Sequence, residues 1–147
     1  MRFKQEAKRF ILGSFHKQSD VGTPIDERYI YQQGMRLDPP VKDAIESALD
    51  ELIAEGFLDS NNTLTQKGFD LLFPPNKSAV RRELLSTCRD IRARAGDAVL
   101  SRPFQFKYIQ FSKREKMDFD DVLTDLQNEG FIDENHCLTD SGYKALY

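Results

Sequence analysis

Histidine and cysteine are scarce in this chain of 147 residues, with two of each. Neither His16 nor His136 stands at metal-ligand spacing from a cysteine or carboxylate, so no metal centre is expected. Cys88 and Cys137 make no disulfide framework, and two such thiols fit a reducing compartment. The N-terminal Met1-Arg-Phe-Lys-Gln-Glu-Ala-Lys-Arg has no apolar signal core. No stretch approaches the roughly 20 apolar residues of a membrane span. Glycine-rich phosphate loops are missing, and no Ser/His/Asp grouping can be assembled. These absences argue against an enzyme, a cofactor and a membrane role. They leave a cytoplasmic, non-enzymatic protein as the expectation.

What the chain has is a block written twice. Leu49-Asp-Glu-Leu52-Ile-Ala-Glu55-Gly56-Phe57-Leu58-Asp59 returns as Leu123-Thr-Asp-Leu126-Gln-Asn-Glu129-Gly130-Phe131-Ile132-Asp133. Leu64-Thr65-Gln-Lys-Gly68-Phe69 then returns as Leu138-Thr139-Asp-Ser-Gly142-Tyr143. The shift is constant at 74 residues, Glu55 to Glu129, about half the chain. A repeat of this kind sets the architecture before any single residue is weighed. Two units follow, residues 1–74 and 75–147. Each lies near the lower size limit for a self-sufficient core, so the halves are expected to pack together.

One unit reads as a run of helices. Phe3, Ala7, Phe10, Ile11 and Phe15 share a helical face, as do Val80, Leu84, Leu85, Cys88 and Ile91. Ser19-Asp20-Val-Gly22-Thr-Pro24 and Ala95-Gly96-Asp97 break these helices. A short extended piece and a short second helix are expected in each unit, near Glu27–Gln33 and Arg102–Ile109. The third helix of unit 1 begins at Asp38, an N-cap, with Pro39 at its first position. In unit 2, Ser112 and Glu115 spell a capping box. Val41, Ile45, Ala48, Leu49 and Leu52 form the buried stripe, mirrored by Phe119, Val122, Leu123 and Leu126. Gly56 and Gly130 stop the helices through positive φ. A β-hairpin is expected next, with tips Ser60-Asn61-Asn62 and Glu134-Asn135-His136. Closing helices follow over Gln66–Phe73 and Asp140–Tyr147.

The pattern Leu-x-x-Leu-x-x-Glu-Gly-Phe-[Leu/Ile]-Asp, followed by Leu-Thr-x-x-Gly-[Phe/Tyr], resembles the third helix and wing of winged helix-turn-helix domains, once in each half. The resemblance implies a mainly α fold with small β-hairpins (α+β), as two winged-helix repeats in tandem. It also implies DNA binding as a default, with the third helix entering the major groove and the wing touching the backbone or the minor groove. Fold-level analogy of this kind needs support from surface residues.

In unit 1 that support is missing. The outward positions of the third helix are Lys42, Asp43, Glu46, Ser47, Asp50 and Glu51, and phosphates repel such a surface. A solvated face is the plain reading. A docking surface for a basic protein partner through Asp43, Glu46, Asp50 and Glu51 is the other. Acidic tandem winged-helix proteins serve as adaptors in chromosome-organising and membrane-sorting complexes, and the acidic first unit resembles that use.

Unit 2 is charged differently. From Lys77 to Lys116, eleven lysines and arginines stand against Glu83, Asp90, Asp97 and Glu115, a balance of +7. From Met117 to Tyr147, Lys144 stands alone against eight acids, a balance of −7. Lys113, Arg114 and Lys116 crowd a helix N-terminus, which favours phosphate. Arg102 and Lys107 lie on the preceding short helix. These five residues are the candidate nucleic-acid contacts, with DNA as the partner. A DNA-binding regulator or accessory factor of DNA metabolism is the first functional expectation, the adaptor the alternative. Arg81, Arg82, Arg89 and Arg92 could instead pair with the acidic first unit. Beyond Lys116 the outward residues are Asp120, Asp121, Thr124 and Asp125, so phosphate anchoring is expected rather than base readout. Phe104, Phe106, Tyr108 and Phe111 are assigned to the core over base stacking, and Cys88 to an inert core position. The sequence leaves an oligomer open.

Overall fold

The computed structural model describes residues 2–147. The chain divides into two compact units, Met1–Pro74 and Pro75–Tyr147. Among the described residues the first holds α1 (Arg2–Leu12), α2 (Glu27–Gly34), α3 (Pro39–Asp43), α4 (Ile45–Ala54) and α5 (Gln66–Leu72). The second holds α6 (Lys77–Asp90), α7 (Arg102–Ile109), α8 (Lys113–Asn128) and α9 (Asp140–Leu146).

In unit 1, α1 lies against α3 and α4. Ala7 and Ile11, one turn apart, meet Val41, Ala48 and Leu52, and Leu58, Leu64 and Phe69 close the cluster. In unit 2, α6 lies against α8. Val80, Leu84 and Cys88 meet Val122 and Leu126, with Phe104, Phe111 and Phe119 packed ring to ring. Cys88 is wholly buried, and burial pushes its thiol pKa up, as suits a core thiol.

The expected β-hairpins and the α+β class are corrected by the structure. Among the described residues the chain is mainly helical, at 59%, with 5% strand and no sheet. Isolated bridges join Leu58 to Leu64 and Ile132 to Leu138 where the hairpins were expected, and Pro24 and Ala98, from outside those segments, bridge to Thr63 and Cys137. The reason is length. Gly56 ends one helix and Thr65 already caps the next, which leaves each arm too short for a ladder. The tip is also closed locally. The Asp59 carboxylate accepts from the N–H groups of Asn61 (2.9 Å) and Thr63 (3.0 Å), and Asp133 does the same for Asn135 and Cys137 (both 2.9 Å). Asn62 and His136 take positive φ, 60° each, in the two tips. The winged-helix wing is therefore not formed as a hairpin in either unit.

Two smaller corrections concern the third helix of unit 1. It is divided at Ala44, whose N–H reaches back to Val41 O at 3.0 Å, a tightened i to i−3 turn. Asp38 stands at the cap position but makes no side-chain cap bond. Ser112 by contrast completes the capping box with Glu115. Gly56 and Gly130 hold φ of +84° and +74° as helix stops. Thr65 and Thr139 each hold the following helix by accepting from the N–H of Gly68 and Gly142. A cap of this type contributes about 1 kcal/mol.

Candidate interaction surfaces

The structure separates the five candidate phosphate contacts. Arg102 is exposed at the first position of α7, behind its Ser101 cap. Lys107 is turned toward α6. Its ammonium lies 2.9 Å from the Glu83 carboxylate and donates to the Thr87 hydroxyl at 2.9 Å, joining α7 to α6. Arg114 is withdrawn further, its side chain 12% exposed and its Nε 4.0 Å from the buried Asp118 carboxylate. Asp118 in turn accepts from the N–H of Asn76 at 2.8 Å. The Lys116 ammonium stands 5.4 Å over the Tyr108 ring, and Lys113 is half-buried at the start of α8. Two of the five thus serve the body of unit 2.

Among the aromatic residues, Phe104 and Phe111 are core, and Tyr108 packs beside them. Phe106 departs from the core assignment and is exposed with Ile109 on the outer side of α7.

The acidic set in unit 1 also divides. Asp43, Glu46 and Asp50 are exposed. Glu51 faces α1, where Lys8 donates at 2.6 Å and Lys4 lies at 3.1 Å. Lys8 also reaches Glu55 at 2.5 Å. Hydrogen bonding to Lys8, then to Lys4, holds the Glu51 carboxyl below the usual carboxylate range. The same bonds to Glu51 and Glu55 raise Lys8. A buried lysine is tolerated because it is paired twice. Glu51 is thus a structural partner, and the sequence pattern placed it on the wrong face.

Sequence reasoning missed the groove beside this face. α2 and the α3–α4 turn enclose about 540 Å³, walled by Ile30, Tyr31, Met35 and Ile45 and rimmed by Lys42, Asp43 and Glu46. Tyr31 is 72% exposed and Met35 59% exposed. The available signal was α2 itself, where Tyr29, Ile30, Tyr31 and Met35 put apolar groups on more than one side of a short helix.

Among the described residues, no helix is long and apolar enough to cross a membrane, and no group of three His, Cys, Asp or Glu could hold a metal ion. No family model matches the chain, and no curated protein or solved structure matches it either.

Proposed function

We propose that the protein is a non-enzymatic interaction module whose first unit docks a basic protein segment. The observation that carries this reading is the α2/α3–α4 groove, with exposed Tyr31 and Met35 beside Asp43 and Glu46. An exposed ring and a methionine next to carboxylates suit a partner with apolar anchors and cationic flanks. They do not suit a phosphate backbone. Phe106 and Ile109, exposed on α7, offer unit 2 a similar apolar side.

A photo-crosslinking residue at position 31 tests it. It should capture a protein in cells, and the adduct should vanish when Asp43, Glu46 and Asp50 are changed to Lys. A crosslinker at exposed Asp70 should not give that adduct. No adduct specific to position 31 would overturn the reading.

A second reading keeps DNA as partner, through Arg102, Lys113 and Lys116. It is favoured by the placement of Arg102 and Lys113 at the starts of two side-chain-capped helices, where an anion meets N–H groups and the helix dipole. Its test is retention of a random duplex that weakens with salt. Changing Arg102, Lys113 and Lys116 to Ala should flatten that salt dependence by about 0.9 per lost contact.

A further inference from the structure

The two units differ where α6 ends. A cleft of about 410 Å³ lies there, lined by Arg89, Arg92, Ala93, Arg94, Tyr143 and Tyr147. Its walls are fixed by two bonds to backbone. The Tyr147 hydroxyl donates to Ala93 O at 2.9 Å, and Arg89 Nε donates to Leu146 O at 3.2 Å. Both tyrosine rings remain open, at 42% and 63% exposure, with centroids 5.4 Å apart. Arg92 and Arg94 are exposed at the rim. Asp90 and Asp97 are the nearby acids in sequence, and Asp97 accepts from the Arg94 backbone N–H at 2.8 Å.

Arg92 carries a cost. Its φ is +57°, the left-handed region in which a side chain loses roughly 1–2 kcal/mol and glycine loses almost nothing. An arginine at a position suited to glycine points to a use for the guanidinium. At the repeat shift, unit 1 has Asp20, Phe69 and Phe73 where unit 2 has Arg94, Tyr143 and Tyr147. The phenylalanine pair keeps the ring spacing, 5.6 Å, but Phe69 is wholly buried in the core. Unit 2 has kept the ring pair, opened it to solvent and surrounded it with arginine.

We infer that this cleft binds a nucleoside phosphate, either free or as one residue of a single strand. The base stacks on an open tyrosine ring, and the planar guanidinium groups take the phosphate oxygens. The volume lies within the range of roughly 300–1,000 Å³ usual for small-ligand sites. A duplex does not fit this chemistry, because its base faces are closed by stacking. The inference is independent of the groove in unit 1 and of Arg102, Lys113 and Lys116.

Fluorescence anisotropy of the full chain with a labelled ten-residue oligothymidylate tests it, at low salt. Thymidine monophosphate, inorganic phosphate and a ten-base-pair duplex serve as competitors. Arg94→Asp and Tyr143→Ala should each weaken binding at least about fivefold, the lower end for a lost stacking contact. Arg92→Gly should weaken binding while leaving Tm equal or higher, a combination that a purely structural role would not give. Competition by thymidine monophosphate on a par with one oligonucleotide residue assigns the site to free nucleotide. Competition by unlabelled oligothymidylate but not by thymidine monophosphate assigns it to a strand. The inference is overturned if the wild type binds neither, or if the three variants bind as the wild type does. It is also overturned if inorganic phosphate or duplex competes as well as the nucleotide. Loss of oligonucleotide binding only on changing Arg102, Lys113 and Lys116 to Ala would likewise overturn it.

Discussion

Gly68 packs so tightly beneath the carbonyl of Phe57 that a Cβ added there would come within 2.3 Å of the oxygen. The pair recurs as Gly142 and Phe131, at 2.1 Å. The carbonyls also accept from Thr65 and Thr139, so neither can move away without loosening the cap of the next helix. Gly68→Ala and Gly142→Ala should each cost about 2–4 kcal/mol, as overpacking against backbone does. Gly130→Ala should cost less, about 1–2 kcal/mol, because φ of +74° is its only obstacle. Denaturant midpoints of the three variants check the order. Equal losses would mean the close approach is relaxed at no cost.

Thr63 and Cys137 occupy the same place in the two tips and behave differently. The Thr63 hydroxyl donates to the Asp59 carboxylate at 2.5 Å. This bond, with the Thr63 N–H, holds the Asp59 carboxyl below the usual range. The Cys137 sulfur instead lies 3.8 Å from Asn135 O. Cys137→Thr should complete the missing bond in unit 2. A Tm rise of roughly 2–4 °C is expected, the effect of a modest hydrogen bond in a domain of this size. Thr63→Val should lower Tm, and the loss should shrink as pH falls and Asp59 becomes protonated.

The repeat and the glycine stops were legible because each is a local demand of the backbone on a residue type, whereas Thr65 and Thr139 fitted the expected hairpin arms and are helix caps in the fold. Gly56 and Gly130 need positive φ. The hairpin was not legible, because alternation and a turn-rich tip do not reveal how few residues remain between one helix stop and the next cap. Side-chain direction was harder still. Arg114 and Lys107 have the pattern of surface cations, but Asp118 and Glu83 pair with them in the fold, and Glu51, outward by its spacing, faces α1 because α1 packs against α4. The arginine–tyrosine cleft was hidden for another reason. Its residues come from the end of α6 and from the C-terminal segment of unit 2, and only folding brings Arg92 near Tyr143.

Lys8 links folding to pH in unit 1. Glu51 is held below the ordinary carboxylate value of 4.5, so the folded unit takes up that proton less readily than the unfolded chain. Its stabilisation is complete above that value and is lost as pH falls through the lower folded value. Lys8 is raised above 10.5, so its contribution is complete below that pH and is lost as pH rises through the folded value. Lys8→Met should therefore destabilise unit 1 across neutral pH. Its deficit should narrow below about pH 4 and again at the alkaline end. Urea midpoints of wild type and variant between pH 3 and 8, taken in steps of about one unit, check the acid limb. A deficit independent of pH would show that Lys8 acts through packing alone.

The same geometry separates docking from stability on the acidic face. Asp43, Glu46 and Asp50 are exposed, whereas Glu51 is committed to Lys4 and Lys8. Changing the first three to Lys should abolish the position-31 adduct and leave Tm within about 2 °C, as surface substitutions usually do. Glu51→Lys should lower Tm instead, because it places a third ammonium beside two existing ones. If the adduct survives the triple change but is lost on Met35→Asp, the apolar wall of the groove holds the partner and the carboxylates only steer its approach. If neither change affects the adduct, the groove is not the docking site. The exposed Phe106 and Ile109 on α7 would then be the next surface to carry the crosslinker.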